Sequence, residues 1–384
     1  MDNQTSQTAS PRLFGGPKTL SIQPTFQCSA KCADCGTLSS PHDKTTLNLE
    51  TILSSIDQAK ALGFANVVFT GGEATIQWEM LIKGIEHARC LGFPTRLVTN
   101  AYWARTPEMT NTKIEALCKS GLNEINFSTG DEHARFVPVE RVVNAIISAV
   151  SHGLPTHVMV ELRSERSVTK STLTNDPRIS DLPAEQQSLL GISESPWMPV
   201  DPDRFGVYSD GIATNQENLA DKLGCDSVLQ TYVVQADGRI GSCCGLGLRL
   251  IPELNIGNIA EDNFLEKAIV EAESDFLKLW IRTYGPEKII AWASEKNPSI
   301  QWENMYAHRC QACLRLYQDP VIGEVVREHY NEMLTQVLQA HWLDNEFIPQ
   351  HLGELLQPIP NPQNIEHFAT NLGENSSTHV QSLL

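Results

Sequence analysis

The chain is short of basic residues: 29 Lys and Arg stand against 46 Asp and Glu in 384 residues, for a net charge of −17. A surface that neutralises phosphates wants a basic face, so no nucleic-acid partner is expected. The acidity reads as solubility. Long apolar runs are missing too. No stretch approaches the ~18 residues that a membrane helix needs, so no membrane partner is expected. Residues 1–11 are polar and lack the apolar centre of a secretory signal. Neither a solenoid period nor a low-complexity tract is present. What remains is 41% apolar and 20% charged, the balance of a globular chain with one large or two ordinary domains. Ten cysteines without a secretory signal point to a reducing, cytoplasmic setting, where clustered cysteines bind metal or do chemistry.

From Thr19 onward, strands and helices alternate. Residues 19–26, 66–70, 95–99, 124–128 and 156–161 read as strands. Residues 48–62, 76–91, 112–120 and 139–151 read as helices, stopped by Gly63, Gly92, Gly121 and Gly153. Units of ~30 residues with this order predict parallel βαβ crossovers, hence an α/β fold whose parallel sheet curls into a partial or full barrel. Ligands of such sheets sit at the carboxyl ends of the strands. Residues 164–208, rich in Ser, Pro and Asp, read as a sixth unit with a long insertion. Beyond it, residues 231–236 and 239–243 flank Asp237-Gly238, which predicts a hairpin with a type I′ turn. Residues 263–273, 276–282, 287–294 and 321–343 read as helices, with Pro286 at a favoured first turn. The expected division is a loose arm over 1–18, a barrel over 19–220, a small domain over 221–320, and a helix with a frayed tail over 321–384.

The first strand feeds Cys28-Ser29-Ala30-Lys31-Cys32-Ala33-Asp34-Cys35, a C-x3-C-x2-C run. One tight loop of three thiolates can wrap one iron–sulfur cluster. A cubane has four irons, so one iron would be left for a ligand that is not protein. A zinc loop or a disulfide knot is the alternative, but zinc prefers C-x2-C pairs with a local fourth ligand, and none lies near. After the second strand comes Gly71-Gly72-Glu73, where glycines allow close backbone approach to a ligand. Alone, that tripeptide is a common turn.

Together, the three-cysteine loop and the Gly-Gly-Glu one βα unit later resemble the radical SAM superfamily. The resemblance covers residues 19–165 and implies a partial (β/α)6 barrel. It implies a [4Fe-4S] cluster on Cys28, Cys32 and Cys35, with S-adenosylmethionine (SAM) on the open iron. It also implies contact of Gly71, Gly72 and Glu73 with the methionine amino group. A polar residue at the end of the fourth strand would meet the SAM ribose or carboxylate, and Ser128 is the first choice. Asp131 and His133 would face the substrate, unless Ser128 and Asp131 simply cap the next helix. Glu161 and Arg163, alternate residues at the fifth strand's end, share a face. Either both reach SAM or they form a surface ion pair. The family's aromatic residue before the third cysteine is Asp34 here, so side-chain packing around adenine must differ.

Farther on, Cys225, twelve residues, Gly238, four residues and Cys243 place two thiolates around the hairpin, and Cys310-Gln311-Ala312-Cys313 follows. Over residues 221–317 this resembles the SPASM/twitch extension of radical SAM enzymes. No cysteine follows Cys313, so the shorter twitch form is implied, with one auxiliary [4Fe-4S] cluster on Cys225, Cys243, Cys310 and Cys313. A zinc site on the same four ligands is the alternative. Cys244 is expected to face away from its neighbour, since successive strand residues point to opposite faces. It is a candidate catalytic hydrogen-atom donor, as in some peptide-epimerising relatives. A one-residue swap of ligand and an inert thiol are the other readings. Cys90 and Cys118 read as buried thiols.

By resemblance the chain is an enzyme that cleaves SAM reductively to a 5′-deoxyadenosyl radical, which takes hydrogen from a substrate carbon. A flavodoxin or ferredoxin-type donor would supply the electron. The favoured substrate is a ribosomally made peptide that is cross-linked, epimerised or oxidised, because long loops such as 164–208 can line an extended cleft. Residues 1–17 are too short for an appended peptide-recognition domain. A dehydrogenase or cyclase of a small metabolite is the second reading. A non-catalytic Fe–S electron carrier or redox sensor is the third, and would fill all four irons with protein ligands.

Overall fold

Residues 18–200, 208 and 211–347 are described by a computed structural model. Most of the expected arm, the end of the 164–208 insertion and the polar tail lie outside the described residues. Residues through His341 form one compact unit and those from Trp342 a second.

Six strands run parallel in sequence order. Between β1 (Thr19–Ile22) and β2 (Asn66–Phe69) lies α1 (Leu49–Ala61); α2 (Trp78–Cys90) leads to β3 (Thr95–Thr99), and α3 (Pro107–Ser120) to β4 (Glu124–Thr129). The chain returns through α4 (Asp131–Ala134) and α5 (Val139–Ser151) to β5 (Thr156–Leu162). Three short helices, α6 (Lys170–Thr174), α7 (Pro177–Ser180) and α8 (Ala184–Ser188), precede β6 (Leu190–Pro196). The predicted sixth unit therefore exists, with its insertion folded into helices ahead of the strand.

Alternation sets the two faces of this sheet. Leu97, Ile125, Phe127, Val158 and Val160 are fully buried in one core with helix residues Leu81, Ile114 and Val142. Residues of the opposite parity, such as Ser128 and Met159, pair across β4 and β5 and stay partly open; Met159 is 40% exposed. Local chemistry places the helix ends. Asn48 caps α1 by accepting from Thr51 N at 2.7 Å. Thr106 caps α3, with Pro107 at its first turn, so α3 starts five residues before the predicted 112–120.

Two predicted elements are shorter than their patterns. β1 stops at Ile22, not at residue 26, because Pro24 has no N–H to continue a ladder. Its continuation survives only as the isolated bridges Thr25–Thr46 and Gln27–Ser40. The predicted helix 76–91 is split into a 3₁₀ turn (Ala74–Gln77) and α2.

The predicted hairpin forms from β7 (Thr231–Val234) and β8 (Arg239–Gly241), followed by an unpredicted β9 (Asn255–Asn258). Its turn corrects the type I′ expectation. Gln235 N donates to Arg239 O and Gly238 N to Gln235 O, both at 2.9 Å, so three residues form the loop. Only Gly238 among them has a positive φ, +86°. That is a type I turn with a glycine bulge, whereas type I′ needs two positive φ values. β7 also pairs in parallel with β1, Thr19 opposite Thr231. The sheet has nine strands in the order β6-β5-β4-β3-β2-β1-β7-β8-β9, open at β6 and β9.

The helices that follow are α9 (Phe264–Glu273), α10 (Phe276–Tyr284), α11 (Pro286–Lys296), α12 (Arg309–Gln318), α13 (Pro320–His329) and α14 (Asn331–Trp342). The single helix predicted over 321–343 is the pair α13 and α14. α12 was assigned to no element by pattern. Lys18, the described residue of the expected arm, is buried; its ammonium donates to Leu229 O at 3.0 Å and to Glu273 Oε1 at 2.6 Å. Among the described residues, no helix is long and apolar enough to cross a membrane.

Candidate active site

Cys28 leaves the strand bridge buried, while Cys32 and Cys35 are half-buried in the loop that follows. Cys28 Sγ accepts from Ala30 N at 3.4 Å and from Asn100 Nδ2 at 3.6 Å. Cys35 Sγ accepts from Ser39 N at 3.4 Å, and the Thr37 hydroxyl lies 3.3 Å away. Burial pushes the Cys28 thiol up to about 12, with Glu73 and then Cys35 adding negative charge nearby. Burial likewise pushes Cys32 up to about 12, helped by Cys35, Cys28, Glu161 and Glu132. Burial and neighbouring negative charge thus oppose thiolate at Cys28 and Cys32 unless positive charge is supplied. Iron would supply that charge and hold them as thiolates. N–H and amide donors aimed at two of the sulfurs suit a cluster, whose potential such hydrogen bonds set. The cysteines are all free thiols, so no disulfide knot forms. Among the described residues, no group of three or more His, Cys, Asp or Glu stands ready to hold a single metal ion.

Gly71-Gly72-Glu73 lies against this loop. Gly72 N donates to Thr25 O and Glu73 N to Gln27 O, both at 2.9 Å. The buried Glu73 carboxylate is consumed by protein donors. Its Oε1 accepts from Thr75 N at 3.2 Å, Thr75 Oγ1 at 2.6 Å and Thr99 Oγ1 at 2.8 Å, and its Oε2 accepts from Asn100 N at 2.8 Å. Burial raises its pKa, and these hydrogen bonds oppose the rise. Asn100, fixed in this way, reaches Cys28 Sγ and donates to Ser29 Oγ at 3.1 Å. Sequence reading missed Asn100. Its signal was its place, a polar residue one step past the carboxyl end of β3.

At the ends of β4 and β5 the expected residues part ways. Ser128 and His133 line a cavity of about 640 Å³. Asp131 does not; its carboxylate accepts from Ser167 N at 2.9 and 3.1 Å, closing the loop after β5. Glu161 is buried, and its Oε1 accepts from Glu132 N at 2.7 Å and Arg163 Nε at 3.1 Å. The Glu161–Arg163 pair is therefore half inside the protein, not a surface pair. An ideal Cβ on Gly130, at φ +140°, would lie 1.8 Å from Glu161 Cγ, so the loop can close over Glu161 only with glycine there. Glu132 continues the chain of contacts by accepting from Ala33 N at 3.2 Å. Asp34, where the resemblance has an aromatic, is buried and accepts from Val200 N at 3.5 Å. Among the described residues, Thr129 Oγ1, Arg163 Nη2 and Trp197 Nε1 are buried without hydrogen-bond partners. Three orphaned polar groups at neighbouring strand ends fit a polar ligand carrying acceptors.

The same cavity reaches Cys225, Cys243, Cys310 and Cys313. Cys310 and Cys313 are three residues apart in the first turns of α12, where the helix N-terminus favours thiolate. His308 caps that helix, its Nδ1 accepting from Cys310 N at 3.1 Å. An ideal Cβ on Gly245 would lie 3.1 Å from Cys310 Sγ and 3.5 Å from Cys243 Sγ, so these sulfurs flank one glycine. Burial pushes Cys310 up to about 12 and Cys243 and Cys313 well up, with the other cysteines of the group contributing. Four cysteines along one cavity supply the donor set of a metal centre, though their sulfurs are not gathered into a closed ligand group here. Cys244 lines the cavity as well, with its Sγ 3.2 Å from Ser227 Oγ. β8 ends at Gly241, so Cys243 and Cys244 are loop residues and strand alternation does not separate them.

Residues 22–165 match the sequence model of the radical SAM superfamily. No curated protein matches the chain. Among solved structures it is similar to Streptococcus suis SuiB bound to precursor peptide SuiA, at 14% identity and TM-score 0.47 over 66% of this chain and 64% of that one. The chain thus spans under two thirds of SuiB. It is also similar to anSMEcpe with bound AdoMet and Cp18Cys peptide, at 16% identity and TM-score 0.48 over 81% of this chain and 99% of that one. A third similarity is to BtrN in complex with AdoMet and 2-DOIA, at 12% identity and TM-score 0.40 over 76% and 98%. By the family match, residues 22–165 are a radical SAM domain.

Proposed function

We propose that this chain is a radical SAM enzyme whose cluster is held by Cys28, Cys32 and Cys35. The superfamily implies a [4Fe-4S] cluster and SAM, which when bound supply reductive cleavage to a 5′-deoxyadenosyl radical and hydrogen abstraction from an unactivated carbon. The observation that carries the reading is the single cavity between the ends of β4 and β5 and the downstream cysteines. Ser128, Thr129 and Trp197 offer polar groups to SAM on one side of it, with Arg163 behind them on Glu161. Leu246, Leu248, Ile251 and Leu254 give it an apolar wall that excludes water from a reactive centre. Glu132 positions the cysteine loop, Glu161 lines the cavity while accepting from Glu132 N and Arg163, and Gly71, Gly72 and Glu73 position the loop from the β2 side. Cys225, Cys243, Cys310 and Cys313 hold an auxiliary cluster, or zinc as the alternative.

The substrate is a ribosomally made peptide, one of whose side chains enters the cavity. A volume of about 640 Å³ also falls in the range of small-molecule sites, which favours a dehydrogenase or cyclase of a small metabolite as the second reading. A flavodoxin or ferredoxin-type protein delivers the electron. Anaerobic reconstitution followed by assay of 5′-deoxyadenosine from SAM and dithionite tests the core of the proposal. Formation well above the no-enzyme control is expected. No formation would instead favour an electron carrier or redox sensor.

Cys244 is the candidate hydrogen-atom donor. Cys244→Ala is expected to keep all iron and still form deoxyadenosine, while misdirecting the substrate radical. Loss of about four irons would make Cys244 a ligand in place of Cys243. Unaltered iron with unaltered product would make it a bystander.

A further inference from the structure

The two cysteine groups are joined by a short strut of protein. Just after Cys244, Leu246 packs on the backbone of Gly36, the residue following Cys35; an ideal Cβ on Gly36 would lie 2.3 Å from Leu246 Cδ2. Gly247 N donates to Gly36 O at 3.2 Å. Arg249 then reaches the same turn. Its Nη1 donates to Thr37 O at 2.8 Å and to Leu38 O at 3.3 Å. Its guanidinium carbon lies 3.6 Å from the centre of the buried Phe26 ring, and Asp43 Oδ2 is 3.9 Å from Nη1.

The turn that Arg249 grips is unusual. Leu38 N donates to Cys35 O at 2.9 Å, and Leu38 holds φ at +50° without being glycine. Such a conformation is strained for a side-chain-bearing residue and persists only where surroundings impose it. Arg249 is part of that imposition, since a single nitrogen, Nη1, ties the two successive carbonyls together while the guanidinium lies flat on Phe26. The turn also presents Ser39 N and the Thr37 hydroxyl to Cys35 Sγ.

We propose that Arg249 is a positioning residue for the SAM-cleaving centre: by holding the turn after Cys35, it fixes the hydrogen bonds that the turn makes to the Cys35 sulfur. This rests on the reading of Cys35 as a cluster ligand. Hydrogen bonds to ligand sulfurs set the potential of a cluster, and a neighbour's loss of such contacts typically costs ten- to a hundredfold in function. Arg249 stands six residues after Cys243, on the segment that packs against the turn after Cys35.

Arg249→Ala and Arg249→Lys, reconstituted with iron and sulfide, test this. Lysine keeps the charge but lacks the planar guanidinium that stacks on Phe26 and so fixes Nη1 between the two carbonyls. Both variants are expected to hold wild-type iron, to shift the midpoint potential and the electron paramagnetic resonance signal of the SAM-binding cluster, and to form deoxyadenosine roughly tenfold more slowly. Wild-type spectra, potential and rate in both variants would overturn the proposal while leaving the cluster assignment standing. A changed melting temperature with an unchanged signal would also overturn it, by reducing Arg249 to a structural contact. Failure of the cluster assignment itself has a different mark: a chain lacking Cys28, Cys32 and Cys35 that still cleaves SAM.

Discussion

Replacing Cys28, Cys32 and Cys35 together by alanine is expected to remove about four irons per chain and to abolish deoxyadenosine formation. The expectation is absolute because these sulfurs are the protein ligands available to one cluster in that loop. The polypeptide should still fold. Cys28 is packed among buried residues, but the loop is held by contacts independent of sulfur: Ala33 N to Glu132, Glu73 N to Gln27 O, and Phe26 N to Thr45 O. Iron bound at Cys225, Cys243, Cys310 and Cys313 should stay, so an iron count separates loss of one centre from general unfolding. Retained SAM cleavage in the triple variant would refute the assignment.

Much of the fold was legible because its units are local. Helix-stopping glycines and alternating strands marked five of the six βα units, and the start at Asn48 was legible, whereas the Thr106 cap of α3 was not. The cysteine loop and Gly-Gly-Glu were legible for the same reason, being short motifs at strand ends. What escaped was non-local or weakly patterned. β6 reads Leu-Gly-Ile-Ser-Glu-Ser-Pro, with every residue only half-buried, so no apolar alternation announces it. β7 joins β1 across more than two hundred residues, and no local signal reports such a pairing. α12 (RCQACLRLYQ) is rich in helix formers, but its Cys310-Gln311-Ala312-Cys313 run reads only as a ligand motif, and its His308 cap goes unrecognised. Asn100 and Arg249 act through contacts at sequence distances of 72 and 212 residues. Local motifs could propose the residues of the centre, but not which neighbours hold them in place.

Gly72→Val shows the difference. Read from sequence, Gly72 leaves room for a ligand to approach. The space that a side chain would take is instead filled by protein: an ideal Cβ lies 2.4 Å from Gln27 O and 2.7 Å from Phe26 O. Backbone carbonyls cannot swing aside as a flexible side chain can, so the strand leading into Cys28 must move. That movement breaks the hydrogen bonds from Gly72 N to Thr25 O and from Glu73 N to Gln27 O. Overpacking of this kind costs about 1–3 kcal/mol, and two lost hydrogen bonds add roughly 1 kcal/mol each. Cys28 follows Gln27 directly, so its sulfur is displaced along with the carbonyl. The expected result is a lower melting temperature and a joint loss of SAM binding and of the iron held by Cys28, Cys32 and Cys35. Gly72→Ala places the same Cβ and should show the same loss in milder form. Full iron content with SAM affinity alone abolished would put the ligand, not the Cys28 strand, against Gly72.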